Sequence, residues 1–235
     1  GNARIKIEET FENIRNHSNG HAPIRVVTGF IGSTHKGETT TLGRGGSDYT
    51  ASLFGAALGA DEIQIWTDVD GVLSADPRLV KGTIPIEQMT YEEAMEMSHF
   101  GAKVIYPPTM QPAREVGIPI VIKNTFNPDH PGTRISSTTK SNGPVKGISC
   151  ITSVALLRVS GPGMLGVTGT ASRMFKALAR AHVNIMMITQ GSSEHSICAV
   201  IAPEDSERAV HVVKEEFTLQ ILQRHIDDVS VVNEL

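Results

Sequence analysis

Apolar positions at Ile7, Phe11 and Ile14, spaced among charged residues, predict an amphipathic surface helix over Ile7–His17. The stretch His17–His21 (HSNGH) reads as a turn. Its two histidines lack a third ligand nearby, so a solvated loop is preferred over a metal site. Ile24–Phe30 (IRVVTGF) has the continuous apolar character of a buried strand, and Gly29–Asp48, dense in Gly, Thr and Ser, must form a hairpin or loop. Ser47 and Asp48 are expected as N-cap residues ahead of a helix of small apolar residues, Tyr49–Ala60. Then follow a strand at Glu62–Thr67, a capping box Thr90-Tyr91-Glu92-Glu93 opening a helix to about His99, a helix Pro107–Val116 closed by Gly117, and a strand at Pro119–Thr125. Alternating strands and helices predict a mostly parallel sheet with ligands at the carboxyl ends of its strands.

Between Asn127 and Pro144 the sequence turns to Pro, Gly, Ser and Thr, and reads as a linker or exposed edge. The pattern then restarts. Strands are expected at Val154–Val159, Asn184–Gln190, Ser196–Ala202 and Val229–Val232. Helices are expected at Leu165–His182, with Val167, Ala171, Met174, Leu178 and Ala181 on one stripe, and at Ser206–Phe217. That β-α-β-β-α-β order predicts a ferredoxin-like sandwich. Two domains result, 1–143 and 144–235, both α/β.

Composition narrows the function. In 235 residues, 21 basic against 25 acidic side chains give a net charge of −4, the wrong sign for nucleic acid or an anionic membrane as main partner. No apolar run reaches the roughly 18–20 residues of a membrane helix. Cys150 and Cys198 have neither disulfide-scaffold nor zinc spacing and read as buried free thiols. Met186-Met187 and Met95/Met97 read as core filling. With no leader-like segment at the amino terminus, a soluble intracellular protein is expected.

The candidate chemistry lies in loops. Gly43-Arg44-Gly45-Gly46-Ser47-Asp48 places three glycines and a guanidinium ahead of a helix start, where backbone N–H groups and the dipole favour an anion. Arg44 is suited to a carboxylate or to a transferring phosphoryl group; a tight turn with a capping Ser-Asp pair is the alternative. The stretch is neither a Walker A loop nor a dinucleotide fingerprint. After the next strand, Trp66-Thr67-Asp68-Val69-Asp70-Gly71 and Asp76-Pro77-Arg78 offer carboxylates for a ribose or a metal, while Arg78 and Lys103 offer cations for phosphates. Calcium is disfavoured because the remaining ligand positions of such a loop are missing. Ser160–Gly166 (SGPGMLG), facing Gln190 at a strand end, fits either a small zwitterion or a structural turn.

Taken together, GFIGSTHKGETTTLGRGGSDYTASLFGAALGA, IWTDVDGVLSADPR and MSHFGAKVIYPPTMQPA resemble aspartate kinase, most closely the kinase portion of bifunctional aspartokinase–homoserine dehydrogenases. SVALLRVSGPGMLGV through ITQGSSEHS is similar to that family's regulatory ACT domain. The resemblance implies the carboxyl-terminal half of an amino-acid-kinase (carbamate-kinase-like) domain, then an ACT domain. It implies phosphoryl transfer from ATP, with Mg²⁺ bound through the phosphates, to the β-carboxylate of L-aspartate. Arg44 and Asp48 are the implied catalytic residues, with Phe30, Arg44, Gly45, Gly46 and Ser47 at the substrate. Thr67, Asp68, Leu73 (often Tyr in the family), Arg78, Lys103 and Val104 are implied at ATP, and no metal ligands of the chain's own. Gly163, Met164, Leu165 and Gln190 are implied at an allosteric amino acid, threonine ahead of lysine.

The family's Lys-Phe-Gly-Gly segment and its second ACT unit have no counterpart in this sequence, and Gly147–Ile151 matches a strand of that missing unit. The expectation is therefore an excised fragment that binds nucleotide weakly and turns nothing over. Homodimers or larger homo-oligomers are expected through the ACT and kinase surfaces, in a bacterial cytoplasm or, for a plant protein, the plastid stroma. The alternatives are an amino-acid-sensing, dimerising module without catalysis, and another kinase of the same superfamily.

Overall fold

The computed structural model describes residues 5–18, 23–99, 105–140, 143, 145–191 and 195–233. The chain separates into two compact units, Gly1–Cys150 and Ile151–Leu235.

The first unit opens with α1 (Ile7–His17), whose bounds are those its periodicity predicts. Glu8 and Glu9 sit at its positive end and Arg15 and His17 in its last turn, as the helix dipole favours. Ile14 is buried against Leu53 and Ala57, and the Arg15 side chain donates to the Ala57 carbonyl at 2.8 Å. A hairpin follows, β1 (Ile31–Ser33) antiparallel to β2 (Thr39–Thr41). Then comes α2 (Gly46–Leu58). Two expectations fail here. Residues 24–30 form no strand and are exposed, Ile24 at 82% and Val26 at 96%. Among the described residues none of the sheets includes them, so apolar composition alone does not bury them. The N-cap of α2 is Gly45, not Ser47 or Asp48, because Gly45 in the left-handed region (φ 68°) turns the chain directly into the helix.

Next come β3 (Ile63–Thr67), β4 (Gln88–Thr90), α3 (Tyr91–His99), α4 (Pro107–Val116), β5 (Ile120–Asn124) and β6 (Thr133–Ser136). The capping box of α3 is present in both directions: Thr90 N–H donates to Glu93 Oε2 at 2.7 Å, and Glu93 N–H to Thr90 Oγ1 at 3.1 Å. Gly117 closes α4 at φ 74°. Pro112 inside α4 removes a helix donor, and the next N–H, Ala113, donates to the buried Ser52 hydroxyl on α2.

The sheet order is β3-β5-β6-β4, parallel for β3/β5 and β4/β6 and antiparallel for β5/β6. β6 corrects the linker reading of 127–144: it is an interior strand with Thr133 and Ile135 fully buried. Its polar composition is accommodated because Thr133 Oγ1 accepts the Val72 N–H at 2.8 Å and donates to the Ile86 carbonyl at 2.6 Å. Met89, Tyr91, Met110, Ile120, Ile122 and Ile135 form the core, where the Tyr91 hydroxyl donates to the Ile118 carbonyl at 2.5 Å.

The second unit contains β7 (Ala155–Ser160), a 3₁₀ turn (Pro162–Met164), α5 (Thr170–Arg180), β8 (Met187–Gln190), β9 (Ser196–Ile201), α6 (Ser206–Glu216), α7 (Thr218–Leu222) and β10 (Asp228–Asn233). Its antiparallel sheet, β10-β7-β9-β8, has the expected ferredoxin-like order. Leu157, Val159, Met174, Leu178, Ile201 and Phe217 fill the layer between sheet and helices. The predicted helix Leu165–His182 loses its first turn and more, since Gly166 and Gly169 take positive φ (67° and 91°) and delay its start to Thr170. Val167, placed on the buried stripe, is accordingly exposed. Residues 147–151 form no strand. Cys150 is exposed and Cys198 half-buried, not buried thiols. Met97 is core, but Met186 and Met187 are exposed on and beside the edge strand β8, which has a neighbour on one side only.

Candidate functional site

The parallel strands β3 and β5 end side by side at Thr67 and Asn124, and the Thr125 N–H donates to the Thr67 carbonyl at 2.8 Å. From there residues 68–78 loop over the sheet end. Asp70 anchors the loop by accepting the Asn124 and Asn127 side-chain amides at 2.8 and 3.1 Å. These bonds, with His130 nearby, hold its carboxyl below the ordinary carboxylate value. Gly71, at φ 142°, lies so close to Thr133 that a Cβ would collide with its hydroxyl; only glycine lets the Val72 N–H reach that oxygen.

The loop encloses a cavity of about 270 Å³. Thr67, Asp68, Leu73 and Arg78 all line it, and the Thr67 hydroxyl donates to Asp68 Oδ1 at 3.0 Å. Arg78 is held on the rim by Asp76, which accepts the Arg78 N–H at 2.9 Å and the guanidinium through Nε at 3.0 Å and Nη2 at 2.5 Å. Those bonds and the Asp76 charge raise the Arg78 pKa further, so at the mouth the guanidinium stands paired with a carboxylate. Lys103 and Val104 lie outside the described residues.

The glycine-rich turn is built separately. Gly43 (φ 77°) and Gly45 (φ 68°) bracket Arg44, and the Gly46 N–H closes the turn on the Gly43 carbonyl at 3.0 Å. A Cβ on Gly45 would lie 2.9 Å from Tyr106 Cβ, and one on Gly46 2.7 Å from the Phe30 ring. Phe30 (φ 72°) is clamped beside the turn by its N–H to Thr50 Oγ1, whose hydroxyl donates to the Gly46 carbonyl. Phe30 thereby packs on Gly46 and Gly45 on Tyr106, with Ser47 exposed beside them. The exposed Arg44 guanidinium stacks over the Tyr106 ring, 5.5 Å from its centroid. Asp48 is half-buried, and desolvation raises its pKa. None of these turn residues lines the 270 Å³ cavity.

In the second unit a cavity of about 260 Å³ brings Met164 and Gln190 together with Gly166, Val167 and Thr170. Gly163 packs instead on His225, and Leu165 is exposed; neither lines the cavity.

Sequence reasoning missed several participants. Tyr106, which supports Arg44, carries no motif of its own. Asn124 falls inside the predicted strand and Asn127 at the start of the predicted linker, so neither carries a signal of its own. Ile148, Ser149 and Cys150, which the sequence pattern places in the following domain, line the first cavity.

The fold and these sites define a class: the chain belongs to the amino acid kinase family, whose model matches residues 2–124, and it carries an ACT domain over residues 157–217. Within that family it is homologous to bifunctional aspartokinase/homoserine dehydrogenases. It is 41% identical over 232 residues to the Haemophilus influenzae protein, covering 98% of this chain and 28% of that one. It is 47% identical over 193 residues to the chloroplastic protein of Daucus carota, covering 79% of this chain and 21% of that one. Aspartate kinase from Clostridium acetobutylicum has a similar structure, with a TM-score of 0.82 at 29% identity over 98% of this chain and 52% of that one. So has E. coli aspartokinase III in complex with aspartate and ADP, with a TM-score of 0.64 at 34% identity over 87% of this chain and 45% of that one. The chain thus spans under a third of the bifunctional relatives it matches.

Proposed function

We propose that this chain serves an aspartate kinase, contributing the nucleotide cavity and the aspartate-facing turn of a kinase domain in its first unit, 1–150, and a regulatory ACT domain in its second, 151–235. The reaction transfers the ATP γ-phosphoryl group to the β-carboxylate of L-aspartate. A carboxylate oxygen forms the new P–O bond, the bond to the β-phosphate oxygen breaks, and ADP leaves with that electron pair. The observation carrying this reading is that Thr67, Asp68, Leu73 and Arg78 converge on one cavity at the carboxyl ends of parallel strands. Arg78 offers charge to the phosphates and Asp68 an acceptor to the ribose. Mg²⁺ would come with the nucleotide, held on its phosphates, and would supply charge neutralisation there. Arg44 pairs with the aspartate α-carboxylate, with Phe30, Gly45, Gly46 and Ser47 beside the substrate and Asp48 ordering the site. Catalysis of this kind rests on positioning and charge neutralisation.

Calorimetric titration with ATP tests the nucleotide half. Saturable binding that Arg78→Ala and Asp68→Asn each weaken at least fivefold supports it; no binding, or binding indifferent to both, refutes it.

A second reading, an amino-acid-sensing role, is favoured by the cavity holding Met164 and Gln190. Threonine is the effector proposed, with lysine second, and the protein works as a homo-oligomer in a bacterial cytoplasm or plastid stroma. E. coli aspartokinase III has been crystallised in complex with lysine and aspartate, a precedent for an amino-acid effector. Millimolar threonine should raise the unfolding temperature of the unsubstituted chain, and Gln190→Ala should remove the shift. An equal shift in the variant would contradict this assignment.

A further inference from the structure

Residues 145–150 form neither helix nor strand, and Val145 and Ile148 are exposed, yet the segment is held at three consecutive positions. Lys146 Nζ lies 2.7 Å from Glu93 Oε2 and 2.9 Å from Thr139 Oγ1, and its side chain keeps only 11% of its exposure. Gly147 approaches α3 so closely that a Cβ would stand 2.7 Å from Met97 Cε and 3.1 Å from the Ser74 carbonyl oxygen. The Ile148 N–H donates to that same carbonyl at 2.8 Å. A simple tether needs no largely buried ammonium, since burying one costs stability unless it fixes a position. What these contacts fix is a wall: Ile148, Ser149 and Cys150 line the 270 Å³ cavity together with Leu73, Pro77 and Met97.

We infer that Lys146 and Gly147 are positioning residues for nucleotide binding, clamping Ile148–Cys150 as the wall against which the apolar part of a nucleoside triphosphate lies. This rests on the nucleotide reading of the cavity. Neither residue touches the ligand; both act through the wall. Displacing the segment widens the cavity on its apolar side and leaves Arg78 and Asp68 in place.

Cys150 is itself the reporter, being exposed and part of the wall. Its alkylation by iodoacetamide is followed by peptide mass spectrometry in the 235-residue chain, with Cys198 as internal reference. Saturating ATP should slow alkylation of Cys150 at least threefold and leave Cys198 unchanged. Gly147→Val and Lys146→Met should each accelerate Cys150 alkylation at least threefold without ATP and raise the ATP dissociation constant at least fivefold; Lys146→Arg should restore most of both. Unchanged ATP affinity in folded Gly147→Val and Lys146→Met overturns the inference. Should neither variant fold, ATP that binds without protecting Cys150 overturns it in the unsubstituted protein. That result differs from failure of the nucleotide reading, in which ATP does not bind, or binds indifferently to Arg78→Ala.

Discussion

The Glu93 carboxylate serves two partners with one oxygen: Oε2 accepts the Thr90 N–H that opens α3 and the Lys146 ammonium, each at 2.7 Å. A local helix-start device is thereby tied to a residue far along the chain, so the cap holds both the helix and the segment beside the cavity.

Acid should loosen that junction. Burial pushes the Glu93 carboxyl up, but the bonds from Lys146 and Thr90, with the Lys146 charge, outweigh it and leave the pKa lowered. A carboxyl depressed in the folded state stabilises above its unfolded pKa, and that contribution is lost as pH falls through the folded value. The urea midpoint of the unsubstituted protein should therefore exceed that of Glu93→Gln at pH 7, and the gap should narrow as the pH falls below the ordinary carboxylate range. A gap independent of pH would contradict the assignment.

Asp48 should behave in the opposite sense. Desolvation raises its pKa, so the folded state carries the cost of a partly buried charge above the folded value and is relieved of it in acid. Asp48→Asn should raise the unfolding temperature at pH 7 and lose that advantage toward pH 3. Destabilisation at pH 7 would mean that the charge is compensated in the folded chain.

The glycines around Arg44 should differ in sensitivity. Gly43 and Gly45 both have positive φ, but nothing lies within 4 Å of a Cβ on Gly43, whereas one on Gly45 meets Tyr106 and Thr109 at 2.9 and 3.0 Å. Gly43→Ala should cost about 1 kcal/mol, the conformational penalty alone. Gly45→Ala should cost about 2 kcal/mol or more, because crowding adds to that penalty. Equal losses in denaturant melts would show that Tyr106 yields freely.

The sequence was most legible where one local rule acts alone. The period of α1, the Thr90–Glu93 box and the Gly117 cap each specify an element without reference to the rest of the chain. The βαββαβ order of the second unit followed from hydrophobic runs of the right length. Tertiary context decided the failures. β6 hides in a polar stretch because Thr133 finds its partners on residues 72 and 86, which no local pattern announces. Residues 24–30 look like a core strand yet are exposed, since a strand needs a neighbour as well as apolar side chains. The motif residues Thr67, Asp68 and Arg78 were legible as chemistry; the wall formed by 148–150 was not, because its placement depends on Lys146 reaching Glu93.

The most direct test of the central claim is hydrogen–deuterium exchange of the 235-residue chain with and without saturating ATP, read peptide by peptide. Binding in the proposed cavity should slow exchange in peptides spanning 67–78 and 145–150 and leave the second unit, 151–235, unchanged. Protection confined to other segments, or none with ATP demonstrably bound, would contradict the account.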